Sequence, residues 1–420
     1  MNTKQHFMNM DHDDELDEQL CDSVYTLKAD YNRLLKKYWN YDSLKDEQFE
    51  IIKHILIDRI DICAILATGF GKSICYQLPF VITQKSVIVI SPLLALMNEQ
   101  YLEMKRRNIE VCVFNSEVSL NDKRKAINEL YQGKHKLIYM TPEYIIKQQE
   151  FIERMGDNLA MICIDEAHAV STWGLDFRAD YTKLNVIREW IPTVPILTLT
   201  ATASTKVRQD IVNILNLQNV KYIIGNFDRP NLYINVEPKR DNTIDRIINL
   251  IEHNNEYTII YCKTRDETDN VCQTICQAGI DCKAYHAGLT DETRNNIQTK
   301  FINGDFKCIV ATIAFGMGIN IPGVRLVIHY NCPKNIESYY QEIGRAGRDG
   351  KKSDCYLFYS EKDFKTNRYF LKSIKSVVHR NYQEEQIRII ERYVYSTECR
   401  RKTLLHSFGQ TINECTNCDN

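Results

Sequence analysis

Two short segments combine glycines, a lysine and acidic side chains in an order suited to phosphate chemistry. The first, Ala67–Ser73 with the sequence ATGFGKS, follows a strand-like run and opens a helical stretch. Backbone N–H groups at such a glycine-rich turn surround phosphates without crowding from side chains. Further along the chain, Asp165–His168 follows the strand-like run Met161–Ile164. Together the two segments predict a nucleoside triphosphate site.

Each polar side chain in these segments has a distinct expected role in ATP hydrolysis. Lys72 neutralises the β- and γ-phosphates, and the Ser73 hydroxyl binds Mg²⁺ from the side of the loop. Asp165 holds the same ion from a neighbouring strand, and Glu166 orients and deprotonates water. The other candidates on the loop are Thr68, Gly69, Phe70 and Gly71. ATP and Mg²⁺ are therefore the expected substrate and ion.

The loop by itself also fits an ordinary strand-to-helix turn, because Leu66 stands where the general phosphate-loop pattern has its first glycine. The segment Asp165–His168 removes most of this ambiguity. Without a shared function, the residues at both strand ends would have to match an ATPase site in type and order by accident. We therefore interpret the pair of segments as an ATPase site.

Length and composition favour two or three globular domains. The chain has 420 residues, no apolar stretch long enough to cross a bilayer, and a polar start without the apolar block of a secretory signal. Fifteen cysteines are scattered through apolar strand-like runs, which fits a reducing compartment without a disulfide framework. We expect a soluble intracellular protein of the nucleus or the cytoplasm, with no membrane partner.

The charge is distributed unevenly along the chain. Residues 1–30 carry eight acidic and two basic residues, so the total net charge of −2 leaves the remaining chain at +4. We interpret residues 1–30 as an acidic, solvated and mobile tail, to which no function is assigned.

Strand-like runs alternate with helical stretches in two series, which predicts an α/β fold with two tandem parallel-sheet domains. The final sixty residues lose this alternation and form a charged, helix-prone appendix. The runs are Ser86–Ile90, Val111–Phe114, Leu137–Met140, Met161–Ile164 and Ile196–Leu199, then Thr258–Cys262, Cys282–Tyr285, Cys308–Ala311, Leu326–Tyr330 and Cys355–Tyr359. The expected boundaries are 1–30 for the tail, 31–225 and 226–360 for the two domains, and 361–420 for the appendix.

The second domain contributes two arginines three positions apart, Arg345 and Arg348, next to Gln341. If this segment is helical, both guanidinium groups lie on one face and can reach a γ-phosphate across a domain cleft. An isolated pair of arginines more often belongs to a surface ion-pair helix. The flanking glycines and the first-domain ATPase site favour the first interpretation, in which hydrolysis is coupled to closure of the cleft.

The strings around these residues resemble the RecQ family of superfamily 2 DNA helicases, over residues 38–418. The resemblance implies two RecA-like domains, ATP-driven 3′ to 5′ movement on single-stranded DNA, unwinding of duplexes with single-stranded overhangs, and a role in DNA repair and recombination. The matching strings are ATGFGKSICYQLP, SPLLALMNEQ, TPE at 141–143, IDEAH, STWGLDFRADY, TLTATA, IIYCKTR, YHAGL, ATIAFGMGINIPGVR and NIESYYQEIGRAGRDG.

The resemblance also assigns roles outside the two motifs. His168 and Gln341 are implied to link the domains, and Gln48 to read the adenine edge through its amide. Tyr41 stands where the family has an aromatic residue beside the base. Lys45 stands where the family has an arginine and cannot stack a planar fork on adenine, so nucleotide discrimination is expected to be weaker.

An aromatic loop beyond the acid pair, with Trp173, Phe177 and Arg178, resembles the family's contact with unpaired bases. Flat rings and a guanidinium stack on bases of any sequence; the alternative is that Trp173 and Phe177 are core residues beneath a strand end. Leu175 stands where the family has histidine and cannot donate a hydrogen bond, which weakens the expected coupling. The candidates for phosphate contacts are Ser91, Thr141, Thr312 and Arg325.

Three cysteines of the appendix, Cys399, Cys415 and Cys418, resemble the first three ligands of the RecQ zinc subdomain. The fourth cysteine of that pattern would follow Asn420, so His406, Asp419 or the terminal carboxylate is expected to complete the four ligands that structural zinc takes. The alternative is three thiols without metal.

The leading hypothesis is an ATP-dependent 3′ to 5′ DNA helicase. One alternative is an RNA-stimulated helicase or nucleic-acid remodelling ATPase, because motor motifs follow the backbone and stacking does not exclude a 2′-hydroxyl. Another is a non-catalytic nucleic-acid-binding scaffold, motivated by Lys45 and Leu175. The intact Lys72, Asp165 and Glu166 argue against the scaffold.

Overall fold

A computed structural model describes residues 10–173, 178–201, 203–315, 321 and 323–420, with side chains from residue 25 onward. Within these ranges, strands alternate with helices along two successive parts of the chain, and a helical segment follows them. No helix in the described part of the chain is both long and apolar enough to cross a membrane.

The first sheet contains seven described strands, all paired in parallel, in the order β3-β4-β2-β5-β6-β1-β7. Parallel pairing requires a crossover between successive strands, which the intervening helices supply. Its strands are β1 (Ile62–Ile65), β2 (Ser86–Ile90), β3 (Val111–Phe114), β4 (Leu137–Met140), β5 (Leu159–Ile164), β6 (Ile196–Thr200) and β7 (Lys221–Ile224).

The second sheet contains six described strands, again parallel, in the order β10-β11-β9-β12-β13-β8. Its central strands are buried on both faces, as expected for a sheet covered by helices. Its strands are β8 (Leu232–Pro238), β9 (Tyr257–Tyr261), β10 (Cys282–Tyr285), β11 (Cys308–Ala311), β12 (Val324–His329) and β13 (Ser353–Tyr359).

Helices surround the first sheet, then the second, and then form the appendix. Those of the first part are α1 (Met10–Trp39), α2 (Asp46–Lys53), α3 (Ile74–Thr83), α4 (Leu94–Arg106), α5 (Leu120–Tyr131), α6 (Pro142–Ile145), α7 (Gln149–Met155), α8 (Ala179–Thr182), α9 (Val186–Trp190) and α10 (Thr205–Ile214). Those of the second part are α11 (Thr243–Asn254), α12 (Arg265–Gln277), α13 (Asp291–Asn303) and α14 (Ile336–Ile343). The appendix has α15 (Glu361–Phe370), α16 (Val377–Tyr395) and α17 (Arg400–His406).

This architecture confirms the predicted α/β fold with two tandem parallel sheets. The strand-like runs of the sequence coincide with strands to within two residues at either end. Two strands, β7 and β8, were not predicted. Each lies at the edge of its sheet and is only partly buried, so neither forms the continuous apolar run that marks a strand covered on both faces.

The N-terminal part differs from the expected tail, because α1 begins at Met10 rather than after residue 30. Tyr31, Leu35 and Trp39 recur every four residues and are buried against the first domain, so α1 has one apolar stripe in this region. The helix ends at Trp39, and Asn40 follows it with a φ of 60°, in the left-handed region. Asparagine is one of the few residues other than glycine that adopt this conformation readily, which accounts for Asn40 just after the end of the helix.

Candidate active site

The phosphate loop joins β1 to α3. The Leu66 N–H donates to the Thr200 carbonyl (3.0 Å) and its side chain is fully buried, so Leu66 extends the strand and the loop begins at Ala67. This accounts for a leucine where the general pattern has glycine. Gly69 and Gly71 follow with φ angles of 79° and 92°, in the left-handed region that side chains disfavour.

The two polar residues at the end of the loop are positioned by the start of α3. The Lys72 ammonium donates to the Leu66 carbonyl (3.2 Å), so the side chain folds back along the loop. The acceptor is neutral, and the bond therefore keeps a positive charge in the loop where phosphates are expected. Ser73 immediately precedes α3, and both side chains line a cleft at the carboxyl edge of the sheet.

The segment before α2 is tied to the same loop. Gln48, which is buried, donates from its amide to the Gly71 carbonyl (3.0 Å). Lys45 donates to the Phe70 carbonyl (2.9 Å), and its ammonium lies 4.1 Å from the centroid of the Phe70 ring. Tyr41 is exposed and lines the cleft. The predicted adenine-binding residues therefore contact or border the loop, and their roles toward ATP stay predictions.

The acid pair follows β5, where the strand leaves the sheet. Asp165 is buried, and burial together with the Glu166 carboxylate raises its pKa to about 7, while the Lys72 ammonium acts in the opposite direction. Glu166 has a φ of 50°. The His168 ring nitrogen Nδ1 lies 2.9 Å from the Thr200 hydroxyl and 3.3 Å from a Glu166 carboxylate oxygen. The acid pair is thus attached to the end of β6 through His168.

A single cleft of about 340 Å³ collects residues from both domains. A cavity of this size falls in the range of small-ligand sites. Among its lining residues, the predicted ones are Tyr41, Thr68, Gly69, Gly71, Lys72, Ser73, Asp165, Glu166, His168 and Arg178 from the first domain, and Gln341, Arg345 and Arg348 from the second. The lining therefore combines cations, a buried acid and a hydroxyl, which suits a triphosphate with a divalent ion.

Arg345 and Arg348 line the cleft, but they do not lie on one helix face as predicted. Helix α14 ends at Ile343, and Arg345 and Arg348 lie in the turns that follow, so the predicted helical register is wrong for them. Burial lowers the pKa of Arg348 to about 10, and the neighbouring Arg345 charge adds to this effect. Arg345 is itself buried beside Tyr261 of β9. Turns, rather than a helix, aim both guanidinium groups at the first domain.

The sequence did not reveal a hydrogen-bonded chain that borders the cleft. The Trp39 indole N–H donates to the Gln77 side-chain oxygen (3.2 Å), and the Gln77 amide donates to Gln100 (2.6 Å). These residues lie on α1, α3 and α4 and are buried. No local pattern marks them, because each is an ordinary helix residue until the three helices are packed together.

The ring of Trp173 packs against helix α16 of the C-terminal appendix. Its ring centroid is 4.8 Å from that of Tyr382 and 5.8 Å from that of His379, both on α16. The side chain is half-buried. Its contact with α16 fits the packing alternative, and its exposed part fits the predicted base contact. Leu175 and Phe177 lie outside the described residues.

Replacing Trp173 with alanine tests these alternatives. We expect weaker binding of single-stranded DNA by about 1–3 kcal/mol, which is about a 5- to 150-fold rise in Kd, because a stacking surface is lost. Fluorescence anisotropy with a labelled oligonucleotide measures this change. The Tyr382→Ala variant is the control, since it removes the packing partner and leaves the indole. An unchanged Kd with a lower melting temperature would assign Trp173 to packing instead.

Arg178 connects this loop to the cleft. Its guanidinium donates to the Pro92 carbonyl (3.1 Å), next to the predicted phosphate contact Ser91, and the side chain lines the nucleotide cleft. The backbone N–H of Arg178 donates to the Ala169 carbonyl (2.9 Å), just after the acid pair. Arg178 therefore provides a direct connection through which a conformational change in the aromatic loop can reach the acid pair.

The four predicted phosphate contacts have different environments. Ser91 is only 2% exposed, so its hydroxyl is not available to a phosphate in this conformation. Arg325 forms a bidentate ion pair with Asp349 and also donates to the Ser353 hydroxyl (3.2 Å). Thr141 and Thr312 are half-buried at the ends of β4 and β11. A DNA contact by any of the four stays a prediction.

The three cysteines of the appendix converge. The sulfur of Cys418 lies 3.6 Å from that of Cys399 and 3.7 Å from that of Cys415. Tetrahedral zinc–thiolate geometry, with Zn–S of about 2.3 Å, places its sulfurs about 3.8 Å apart, so these residues fit the metal. Of the proposed fourth ligands, the Asp419 carboxylate instead accepts from Arg400 (3.1 Å) and the Val236 N–H (3.0 Å). His406 is not part of the cluster.

The tandem sheets and a cleft shared between them define a class of protein, the two-domain helicase-type ATPases. Three family profiles match the chain in order: "DEAD/DEAH box helicase" at residues 45–211, "Helicase conserved C-terminal domain" at 242–350 and "RecQ zinc-binding" at 361–420. The last of these supports the zinc interpretation of the appendix.

Similar proteins of known name indicate which family of helicases the chain resembles. A protein of Acanthamoeba polyphaga mimivirus, provisionally named an ATP-dependent RNA helicase, is 44% identical over 92% of this chain and 71% of its own length. "ATP-dependent DNA helicase RecQ" of Haemophilus influenzae is 37% identical over 92% of this chain and 62% of its own. The mouse "Bifunctional 3'-5' exonuclease/ATP-dependent helicase WRN" is 38% identical over 89% and 27%, respectively. The chain belongs to the RecQ family.

Solved structures agree on the fold. The helicase MrfA bound to DNA and AMPPNP superposes with a TM-score of 0.65 at 17% identity, covering 90% of this chain and 58% of that one. Mss116p bound to single-stranded RNA and AMP-PNP gives 0.63 at 18% identity, covering 88% and 87%. The chain spans less than two thirds of the Haemophilus and mouse relatives, so their whole activities are not transferred with the fold.

Proposed function

We propose that this chain is an ATP-dependent DNA helicase that moves 3′ to 5′ along single-stranded DNA and separates duplexes with overhangs. One observation carries the proposal: the cleft that holds the phosphate loop and the acid pair also receives Arg345 and Arg348 from the other domain. A site completed from both sides links each round of hydrolysis to the relative position of the domains.

Each residue of the cleft has a distinct role in this proposal. The Lys72 ammonium and the backbone N–H groups of the loop bind the β- and γ-phosphates. Ser73 and Asp165 would hold Mg²⁺, which when bound neutralises phosphate charge. The Glu166 carboxylate takes a proton from the attacking water. Arg345 and Arg348 stabilise the negative charge that develops on the transferred phosphoryl oxygens.

Nucleic acid acts on this site through the aromatic loop. Arg178 belongs to the loop, lines the cleft and donates to the Pro92 carbonyl. A strand that stacks on Trp173 would displace the ring from α16 and move the adjoining backbone. We propose that this displacement couples DNA arrival to hydrolysis.

RNA is the second candidate strand, favoured by the provisional name of the mimivirus relative. Equal lengths of single-stranded DNA and RNA, titrated into an ATPase assay, separate the two. We expect stronger stimulation by DNA; stronger stimulation by RNA would overturn the DNA assignment. Lys72→Ala and Glu166→Gln are the controls, since activity unaffected by either would come from a different site. Overhang duplexes of each polarity then test direction.

Zinc in the appendix gives a separate prediction. We expect about one zinc per chain in the protein purified without chelators, and much less in the Cys415→Ser variant, because a tetrahedral site loses a ligand. Elemental analysis measures the metal, and the melting temperature of the variant should fall, since structural zinc contributes folding energy. Cys276→Ser, an exposed cysteine outside the cluster, is the matched control. Wild-type protein without bound zinc would contradict the site.

A further inference from the structure

Arg229 lies in the segment that joins the two sheets, between β7 and β8. The sequence predicts only a domain boundary in this stretch, between residues 225 and 226. Its guanidinium does not line the nucleotide cleft and lies directly behind it, where the phosphate loop meets the turns after α14. The position is therefore suited to hold the two walls of the cleft relative to each other.

The guanidinium of Arg229 donates to backbone carbonyls of both domains. From one nitrogen, Nη1, it reaches the Thr68 carbonyl of the phosphate loop (3.1 Å) and the Gly344 carbonyl (3.4 Å). From the other, Nη2, it reaches the carbonyls of Ala346 (2.9 Å) and Gly347 (2.8 Å). A planar guanidinium is the side chain whose fixed donors satisfy several carbonyls at once.

The acceptors in the second domain flank the predicted arginine fingers. Gly344 and Ala346 are the neighbours of Arg345, and Gly347 is the neighbour of Arg348. A methyl group at Gly69 would meet the Arg348 side chain at 3.3 Å and the Arg229 guanidinium at 3.6 Å, so loop, linker and finger are in close packing. A movement of the Arg229 side chain would therefore change the direction of both fingers.

The backbone of the linker is held in turn by the appendix. The buried Arg401 of α17 donates to the Arg229 carbonyl (2.6 Å) and to the Asp228 carboxylate (2.8 Å). Gln410 bonds both sides of the same segment, accepting from the Phe227 N–H (2.8 Å) and donating to the Gly225 carbonyl (2.9 Å). The appendix, which also carries Cys399, Cys415 and Cys418, thus fixes the backbone position of Arg229.

We propose that Arg229 is a positioning residue, which locks the finger turns to the phosphate loop when the cleft is closed and so sets the rate of the hydrolytic step. The inference rests on the proposed ATPase function. Arg229 acts through Arg345 and Arg348 and does not touch the substrate. Its loss leaves nucleotide binding to the first domain intact and misaligns the groups that stabilise the transition state, so kcat falls and KM for ATP changes little.

The test compares Arg229→Ala and Arg229→Lys with wild type in the full chain. We expect kcat for DNA-stimulated ATP hydrolysis to fall at least about tenfold in Arg229→Ala, with KM for ATP within about threefold. Lysine keeps the charge but lacks the fork, so Arg229→Lys should show a similar loss. Arg59→Ala is the matched control, because Arg59 also donates to two backbone carbonyls, Ala160 and Thr193, but within one domain.

A second readout separates positioning from general destabilisation. In an Arg345→Lys background, replacing Arg229 should lower kcat by much less than in wild type, because the two residues act in series. Melting temperature and DNA affinity should match those of Arg59→Ala. Unchanged kcat in both Arg229 variants, or full additivity with Arg345→Lys, overturns the inference while DNA-stimulated hydrolysis by wild type stands. Absence of that hydrolysis in wild type overturns the proposed function itself.

Discussion

Replacing Arg345 with alanine is expected to lower the rate of DNA-stimulated ATP hydrolysis about 10³-fold. The guanidinium is the group from the second domain that reaches the nucleotide cleft beside Arg348, and a finger of this type acts on charge that is present only in the transition state. KM for ATP and the affinity for single-stranded DNA should therefore change little. Steady-state kinetics with a saturating oligonucleotide measure the loss.

Arg345→Lys provides the control for charge. Lysine retains the cation but cannot make two parallel hydrogen bonds, so we expect a rate between those of alanine and wild type. Arg345 is buried, and the melting temperature of both variants must be measured alongside the rate. A folded alanine variant with wild-type kcat would contradict both the finger role and the coupling of hydrolysis to cleft closure.

Replacing Asp61 with alanine is expected to lower the free energy of unfolding of the first domain by about 3–5 kcal/mol. The Asp61 carboxylate accepts from the Arg188 guanidinium (2.5 Å) and from the N–H groups of Ile196 (2.8 Å) and Gln218 (2.6 Å). Asp61 and Arg188 are only 3% and 4% exposed. The substitution therefore leaves a buried cation without its counter-charge and two N–H groups without their acceptor.

Urea denaturation followed by tryptophan fluorescence measures this loss. Trp39 and Trp190 lie on α1 and α9 and report the unfolding of the first domain, whereas the signal of Trp173 also reflects its contact with α16. Asp30→Ala is the matched control, because Asp30 pairs with Arg33 on the surface of α1, where an ion pair contributes less than about 1 kcal/mol. Equal stability losses in the two variants would refute the buried network as the cause.

The convergence of the phosphate loop and the acid pair on one cleft could be predicted from the sequence, because each segment is a local motif. The phosphate loop and the acid pair each follow a buried strand, and parallel strands end at one edge of a sheet, so both segments meet without further information. The strands at the centre of each sheet were readable for the same reason, since they are continuous apolar runs. Only the edge strands β7 and β8, which are partly exposed, escaped this pattern.

Features that depend on contacts between separate segments of the chain could not be predicted from the sequence. Arg345 and Arg348 were expected on a helix face, and they lie in turns whose carbonyls are bound by Arg229 of the linker. Trp173 belongs to an aromatic-rich loop of a type that stacks on bases, and its contact with α16 depends on Tyr382, which is far away in the sequence. Cysteine spacing suggested a metal, and only folding shows that the three sulfurs converge.

The sequence by itself determined the chemistry available to this protein: a glycine-rich loop with a lysine and a serine, a pair of acidic residues, and two arginines on a second domain, each encoded in a few consecutive residues. The tertiary structure decided how the two halves are connected, because the linker, the turns that carry Arg345 and Arg348, and the appendix are joined by hydrogen bonds to backbone carbonyls. Every residue has such a carbonyl, so no side-chain pattern marks it as an acceptor until the chain is folded.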